Sequence, residues 1–253
     1  MCLLLFQYGG GTNCPFVLCS NRDEALFRKT IRGTVTSRGD NNYYAPLDEE
    51  AGGTWIAFGE CNSRFAVVLN YHDRVFAGGK RKSRGFLPLD FINATNNITA
   101  REYAAAISGL PCSSYAGFNL IVGDKDGCYY VSNQKTNSAP QHLEPGIVHG
   151  ISNGAMDDDW CKVTISKHKI SAALAGWGTE SGIEAARAVT ASLMSVMQDD
   201  TPLVDPTLGY LSHFWTKSSA IFVEPELDRS GEISKVLTNY GTRTTTIATS
   251  YRD

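Results

Sequence analysis

Two apolar runs near the start of the chain, Leu3 to Phe6 and Phe16 to Leu18, flank Gly9-Gly10-Gly11, Asn13 and Pro15. No other stretch constrains the fold as tightly, because this composition reads as two strands joined by a turn. In a hairpin the residues before the turn pair with those after it in reverse order. The outer ends therefore meet, and Cys2 is expected beside Asn21-Arg22-Asp23-Glu24.

That juxtaposition carries chemistry on one condition. Methionine before a small residue such as Cys2 is commonly removed, and removal would leave one residue holding a thiol and a free α-amine. With an unperturbed pKa of about 8, the amine is partly neutral at cellular pH and can accept the thiol proton. A cation at Arg22 favours thiolate, and Asp23 can orient the amine or a substrate N–H. The alternative is structural: a free cysteine packs as a small hydrophobe on an edge strand, and four polar residues after a strand form a solvated turn.

Composition narrows the class. The 253 residues suffice for one large domain or two small ones, and a single domain over 1–253 is expected. A hydrophobic content of 42%, a charged content of 19% and a formal charge of -3 describe an ordinary globular chain with no nucleic-acid footprint. The run Leu3 to Phe6 is too short for a signal segment or a membrane span. A cytoplasmic protein with no transmembrane segment is expected. Asn93-Ala94-Thr95 and Asn97-Ile98-Thr99 match the glycosylation pattern but are read as incidental.

The seven cysteines (2, 14, 19, 61, 112, 128 and 161) form no zinc spacing, and their odd count favours reduced thiols. Cys14-Pro15 resembles a haem-regulatory dipeptide, but two residues are a weak signal and a proline punctuating the turn before the second strand is the preferred reading. The five histidines (72, 142, 149, 168 and 213) show no metal spacing, so no metal is expected.

Along the chain, 28–38 reads as a third strand followed by a polar loop. Asp48 to Gly53 turns into a strand over Thr54 to Gly59, where Gly52-Gly53 suits either a substrate loop or a plain hairpin lead-in. Phe65 to Asn70 is a strand buried on both faces. Gly78 to Arg84 concentrates four positive charges, fitting an anionic ligand group or a solvated loop. Ser83 can cap a helix through Phe86 to Ile92, and Thr99-Ala100-Arg101-Glu102 is a capping box for a second. A hairpin around Asp124 to Gly127, a strand over Gly146 to Ser152 and helices over Trp160 to Leu174 and Gly182 to Met197 follow. Strands at Ser219 to Val223 and Thr242 to Ser250 close the pattern, joined by a polar connection from Glu224. Runs of strands alternating with helix pairs predict an α+β fold of two mainly antiparallel sheets sandwiched by helices.

Met1-Cys2, Asn21-Arg22-Asp23-Glu24, Gly52-Gly53-Thr54-Trp55, Ser83-Arg84-Gly85 with Asp90-Phe91, Phe118-Asn119-Leu120, Ser152-Asn153 and Tyr240-Gly241-Thr242-Arg243 occur in order across nearly the whole chain. In that order they resemble the NRDE family, named for the tetrapeptide at 21–24, which includes transport and Golgi organisation protein 2. The family in turn resembles N-terminal-nucleophile cysteine hydrolases of the penicillin V acylase and bile salt hydrolase type, which implies a four-layer αββα sandwich. By that resemblance Cys2, Arg22, Asp23, Asn70, Asn153 and Arg243 are candidate catalytic residues. Asn153 and Asn70 would be oxyanion donors, although Asn70 equally suits an Asx strand end. Arg243 would place a second cation by the thiol or serve as a structural cation. Asn21, Gly53, Trp55, Asn119 and His149 are candidate ligand-binding residues. Family members usually continue past the last strand, whereas this chain stops at Asp253.

Two functions remain open. The NRDE resemblance implies haem trafficking, lipid and acyl-CoA homeostasis and Golgi organisation, with a small hydrophobic ligand (haem or an acyl compound) as partner. It also implies mitochondrial or Golgi association and peripheral membrane contact. No cofactor is required, haem entering only as a transported ligand. The alternative is an amidase or thioesterase using Cys2 as nucleophile.

Overall fold

The computed structural model describes residues 2–10, 15–38, 41–60, 63–71, 81–94, 98–134, 139–175, 182–203, 220–223 and 240–250. Met1, Cys14, Cys61, His72, His213, Ser219, both glycosylation patterns in part, Gly78 to Lys80 and the connection from Glu224 to 239 lie outside them. The fold is α+β, with two mainly antiparallel sheets on which helices pack, and the chain divides into two compact units, 1–27 with 145–253 and 28–144.

The first unit contains the opening hairpin, β1 (Leu3–Tyr8) and β2 (Phe16–Ala25), in register Leu3 to Asn21 through Tyr8 to Phe16. Its sheet is completed by β10 (His149–Ile151) beside β1 and β11 (Tyr240–Ser250) beside β2, all antiparallel. Alternation divides the hairpin between two faces. Leu3, Leu5, Val17 and Cys19 form one core with Val163 and Ile170 of α3 (Cys161–Ala175) and Val189 and Leu193 of α4 (Ile183–Met197). Leu4, Phe6 and Leu18 point the other way and are also fully buried. Burial of such a side chain contributes about 2 kcal/mol, so both faces hold the hairpin in place. Gly150 lets α3 approach β10 closely: a Cβ there would lie 2.9 Å from Lys167 Cγ and from Val163 Cγ1.

The second unit is a seven-stranded sheet in sequence order: β3 (Thr30–Arg38), β4 (Asn41–Asp48), β5 (Ile56–Gly59), β6 (Phe65–Asn70), β7 (Phe118–Asp124), β8 (Gly127–Ser132) and β9 (Gln141–His142). Leu87 and Phe91 of α1 (Phe86–Ile92) and Tyr103 and Ala104 of α2 (Ala100–Ser108) pack against Ala66, Val68, Leu120 and Val122. The capping box forms, Thr99 Oγ1 accepting from the Glu102 amide while Glu102 accepts from the Thr99 amide.

Four local expectations need correction. The stretch after Arg38 contains strand β4 rather than a polar loop: Tyr43, Ala45 and Leu47 alternate toward one face, a pattern masked by Asn41-Asn42 and Pro46. Pro46 has no N–H to give a ladder, and the β3 bulge between Ile31 and Thr34 falls opposite it. Gly85, not Ser83, is the N-cap of α1, with no side-chain hydrogen bond. The strand expected over 146–152 is confined to β10, because Pro145 and Gly146 shape the chain before it. Residues 220–223 are not a strand; Phe222 N bonds Asp199 O and Thr242 N bonds Val223 O, a loop crossing rather than a ladder.

Candidate functional site

The β1–β2 register carried one step past Leu3 brings Cys2 opposite Arg22, and the β1–β10 register carried past Ile151 brings it opposite Asn153. Hydrogen bonds fix the strand end. Ser152 Oγ donates to the Cys2 carbonyl at 2.7 Å, and the Cys2 thiol lies 3.6 Å from the Asp23 carbonyl oxygen. The Tyr240 hydroxyl donates to that same carbonyl at 3.1 Å. Thiol, phenol and main-chain oxygen thus form one cluster.

Alternation sends the Asp23 side chain to the helix-facing side of the sheet, where it is buried. Its Oδ1 accepts from Thr242 Oγ1 at 2.7 Å, and its Oδ2 from Lys162 Nζ at 3.3 Å. Lys162 stands in the first turn of α3 and is only 3% exposed. Thr242 Oγ1 in turn accepts from Val223 N at 2.9 Å, which directs its hydrogen toward Asp23. Arg22 is buried on the other face, with Nη2 3.5 Å from Glu24 Oε2.

The electrostatics oppose a standing thiolate. Burial raises the Cys2 thiol above its ordinary value and the negative charge of Asp23 raises it further. The Arg22 cation pulls the other way without reversing the shift. The Tyr240 phenol is likewise raised, by burial first and then by the neighbouring Cys2 and Asp23. At neutral pH both groups are hydrogen-bond donors, and a thiol of this kind needs a base before it can attack.

The other candidates have their own surroundings. Asn21 is fully buried, its amide donating to Met197 O at 2.8 Å and Ile221 O at 2.9 Å while Thr245 Oγ1 donates to its carbonyl at 2.8 Å. It ties β2 to the end of α4 and to β11. Arg243 sits at the β11 bulge, with its guanidinium on the Leu26 carbonyl. Asn153 is buried just past β10. His149 is buried beside Phe6, ring centroids 5.4 Å apart, with Nδ1 2.8 Å from Asp157 Oδ2.

Asn70, Gly53, Trp55 and Asn119 belong to the second unit. Asn70 ends β6 with its side chain exposed. Trp55 is buried. Asn119 is fully buried and accepts from the Tyr130 hydroxyl at 2.7 Å. The close approach made by Gly53 is to Gly85: a Cβ on Gly53 would lie 2.6 Å from the Gly85 carbonyl carbon, and Thr54 N bonds Gly85 O at 2.9 Å. Two glycine-bearing motifs thus meet backbone to backbone. An open depression in this unit, lined by Thr99, Glu102, Asp124, Asp126 and Tyr129 among others, includes no candidate residue. Two of its carboxylates serve the backbone, Asp124 Oδ2 accepting from Ala100 N at 2.6 Å and Glu102 Oε2 from Thr99 N at 2.9 Å.

Sequence reasoning did not single out Lys162, Thr242, Tyr240 or Ser152 as site residues. Tyr240 and Thr242 lie in the quoted Tyr240 to Arg243 motif and Ser152 in Ser152-Asn153, so motifs held three of the four. No local pattern marks Lys162. Among the described residues no group of three or more His, Cys, Asp or Glu side chains is placed to hold a metal. The described cysteines, 2, 19, 112, 128 and 161, are free thiols. No helix among the described residues is long and apolar enough to cross a membrane.

The family model described as Transport and Golgi organisation 2 matches residues 1–253, the whole chain, and the protein belongs to that family. No curated protein matches the sequence.

Proposed function

Starting from that membership, we propose that this protein serves transport and Golgi organisation by acting on acyl compounds through Cys2, as an N-terminal cysteine amidase or thioesterase. The observation that carries the reading is the Cys2 thiol beside the Asp23 carbonyl, backed by the buried Asp23–Lys162–Thr242 network. Ionised groups are costly to bury, and a passive strand end does not require them.

The chemistry needs Met1 removed, so that the Cys2 α-amine becomes the base. The amine takes the thiol proton and sulfur attacks the acyl carbonyl carbon. The C–N or C–S bond of the substrate then breaks, and the leaving amine or thiol takes the proton. Water next attacks the acyl-enzyme, releasing a carboxylic acid and restoring the thiol. Asn153, next to Cys2 by register, is the candidate oxyanion donor. Arg22 draws the thiol toward thiolate, and the free amine replaces a blocked one.

A second reading is a non-catalytic carrier of haem or an acyl ligand in haem trafficking and lipid homeostasis; a thiol held neutral by burial fits a protein in which Cys2 does no chemistry. A hydrophobic pocket supplies such affinity without a nucleophile. One experiment separates the two. Protein of verified intact mass, with Met1 removed, is incubated with an acyl-CoA thioester and a fatty-acyl amide, and haem is titrated in parallel. The hydrolase reading expects an acyl adduct on Cys2 and turnover that Cys2→Ala abolishes while the fold persists. Unchanged binding with no adduct and no turnover in processed wild type would overturn it in favour of the carrier.

A further inference from the structure

We propose that Lys162 is a positioning residue: from the first turn of α3 it holds the Asp23 carboxylate, together with Thr242, and thereby fixes the Asp23 main-chain carbonyl beside the Cys2 thiol and the Tyr240 hydroxyl. The inference rests on Cys2 being the reactive group of the site, and it assigns a role to a residue that never touches the thiol.

The placement of Lys162 is unfavourable in two independent ways. A cation in the first turn of a helix opposes the helix dipole, which favours anions there. An ammonium buried to 3% exposure also gives up most of its hydration. A pair of apolar side chains of similar volume would fill the space between α3 and β2 at no such cost. What the ion pair adds is direction. Lys162 grips Oδ2, Thr242 grips Oδ1 and the Val223 amide orients the threonine hydroxyl, so the carboxylate is held from α3 and β11 together. With the side chain so held, the carbonyl of the same residue keeps the orientation that meets Cys2 Sγ and Tyr240 Oη. The negative charge of Asp23 opposes ionisation of Cys2, and Lys162 is the cation paired with it.

The test is the pH dependence of Cys2 alkylation by iodoacetamide, resolved from the other cysteines by peptide mass spectrometry. It is run in wild type, Lys162→Gln, Lys162→Arg, Asp23→Asn and the Lys162→Gln/Asp23→Asn double variant. At the alkaline pH where a desolvated thiol titrates, carboxylates are ionised. Loss of the lysine charge therefore leaves Asp23 uncompensated, and Lys162→Gln should move the alkylation midpoint up by about one pH unit. Lys162→Arg should restore most of the wild-type profile. In the Asp23→Asn background the Lys162→Gln shift should shrink by at least half, leaving only the direct effect of the lysine charge on the thiol. An unchanged midpoint in folded Lys162→Gln, or the same shift with Asp23 already replaced, overturns the proposal. Should Lys162→Gln fail to fold, Thr242→Val removes the other hold on the carboxylate: an upward shift that depends on Asp23 supports the mechanism, and none overturns it. Alkylation requires neither substrate nor Met1 removal. Absence of acyl turnover in wild type would thus sink the hydrolase reading while leaving this test intact.

Discussion

Asp23 and Asp157 each accept from a lysine of the same helix, α3, yet the two sites do different work. Asp157 lies at the sheet edge with its side chain 28% exposed, and it accepts from Lys167 Nζ at 2.7 Å, His149 Nδ1 at 2.8 Å and the Gly150 amide at 2.8 Å. Its own amide returns a bond to Gly150 O at 2.8 Å, so one residue satisfies both backbone groups of Gly150 on the outer edge of β10. This closes an edge strand. Asp23 sits inside the sheet with its side chain fully buried, and its partners come from α3 and β11. A carboxylate that water can reach closes an edge with backbone bonds. One that water cannot reach needs a buried counter-charge, and here that counter-charge comes from α3.

The largest effect that can break this comparison is removal of the buried partner. Asp23→Ala leaves Lys162 buried without its carboxylate and should cost about 3–5 kcal/mol in urea unfolding. Adding Lys162→Met should return at least half of that loss, because the uncompensated charge goes with it. Failure of the second substitution to recover stability would mean that Asp23 contributes through Thr242 and the backbone rather than through the lysine.

Gly150→Ala comes next. The new Cβ meets Lys167 Cγ and Val163 Cγ1 at 2.9 Å and Leu5 Cδ2 at 3.1 Å, which pushes α3 away from β10. Overpacking of this kind costs about 1–3 kcal/mol. It should also raise hydrogen exchange at the Asp157 amide while leaving β7 and β8 of the second unit unchanged.

The smallest effect is a pH dependence. Burial by itself would raise the Asp157 carboxyl, but the bonds from His149, Lys167 and the Gly150 amide outweigh it and hold it at about 2, against an ordinary value of 3.8. A carboxyl depressed on folding stabilises the protein fully above its unfolded pKa. That contribution should be lost as the pH falls from about 4 to about 2. After allowance for solvent screening it amounts to about 1–2 kcal/mol. Asp157→Asn should lower stability by that amount at pH 7 and flatten the stability curve between pH 4 and 2. An equally steep curve in Asp157→Asn would assign the acid sensitivity to other carboxylates, such as Asp199 beside Lys169.

What the sequence determined by itself is what short-range rules govern. The hairpin register, and with it Cys2 next to Arg22 and Asp23, follows from two apolar runs around a glycine turn. The Thr99 capping box, the Asp124 to Gly127 turn and the apolar stripe of α4 follow from residue types a few positions apart. Strand β4 was illegible because proline and paired asparagines interrupt an alternation that only its neighbours reveal. The Tyr240 to Arg243 motif drew attention to its arginine, whereas Tyr240 and Thr242 are the members that bond Asp23. Tertiary structure alone decided that Lys162 meets Asp23 across 139 residues of sequence and that Tyr240 meets it across 217. Local pattern does not place Lys162 on the buried face of α3, where Ser166 is buried with it, nor does it show which carboxylate waits on the sheet beneath. That choice depends on how α3 docks, and docking is set by the summed burial of Leu3, Leu5, Val163 and Ile170 rather than by any single residue.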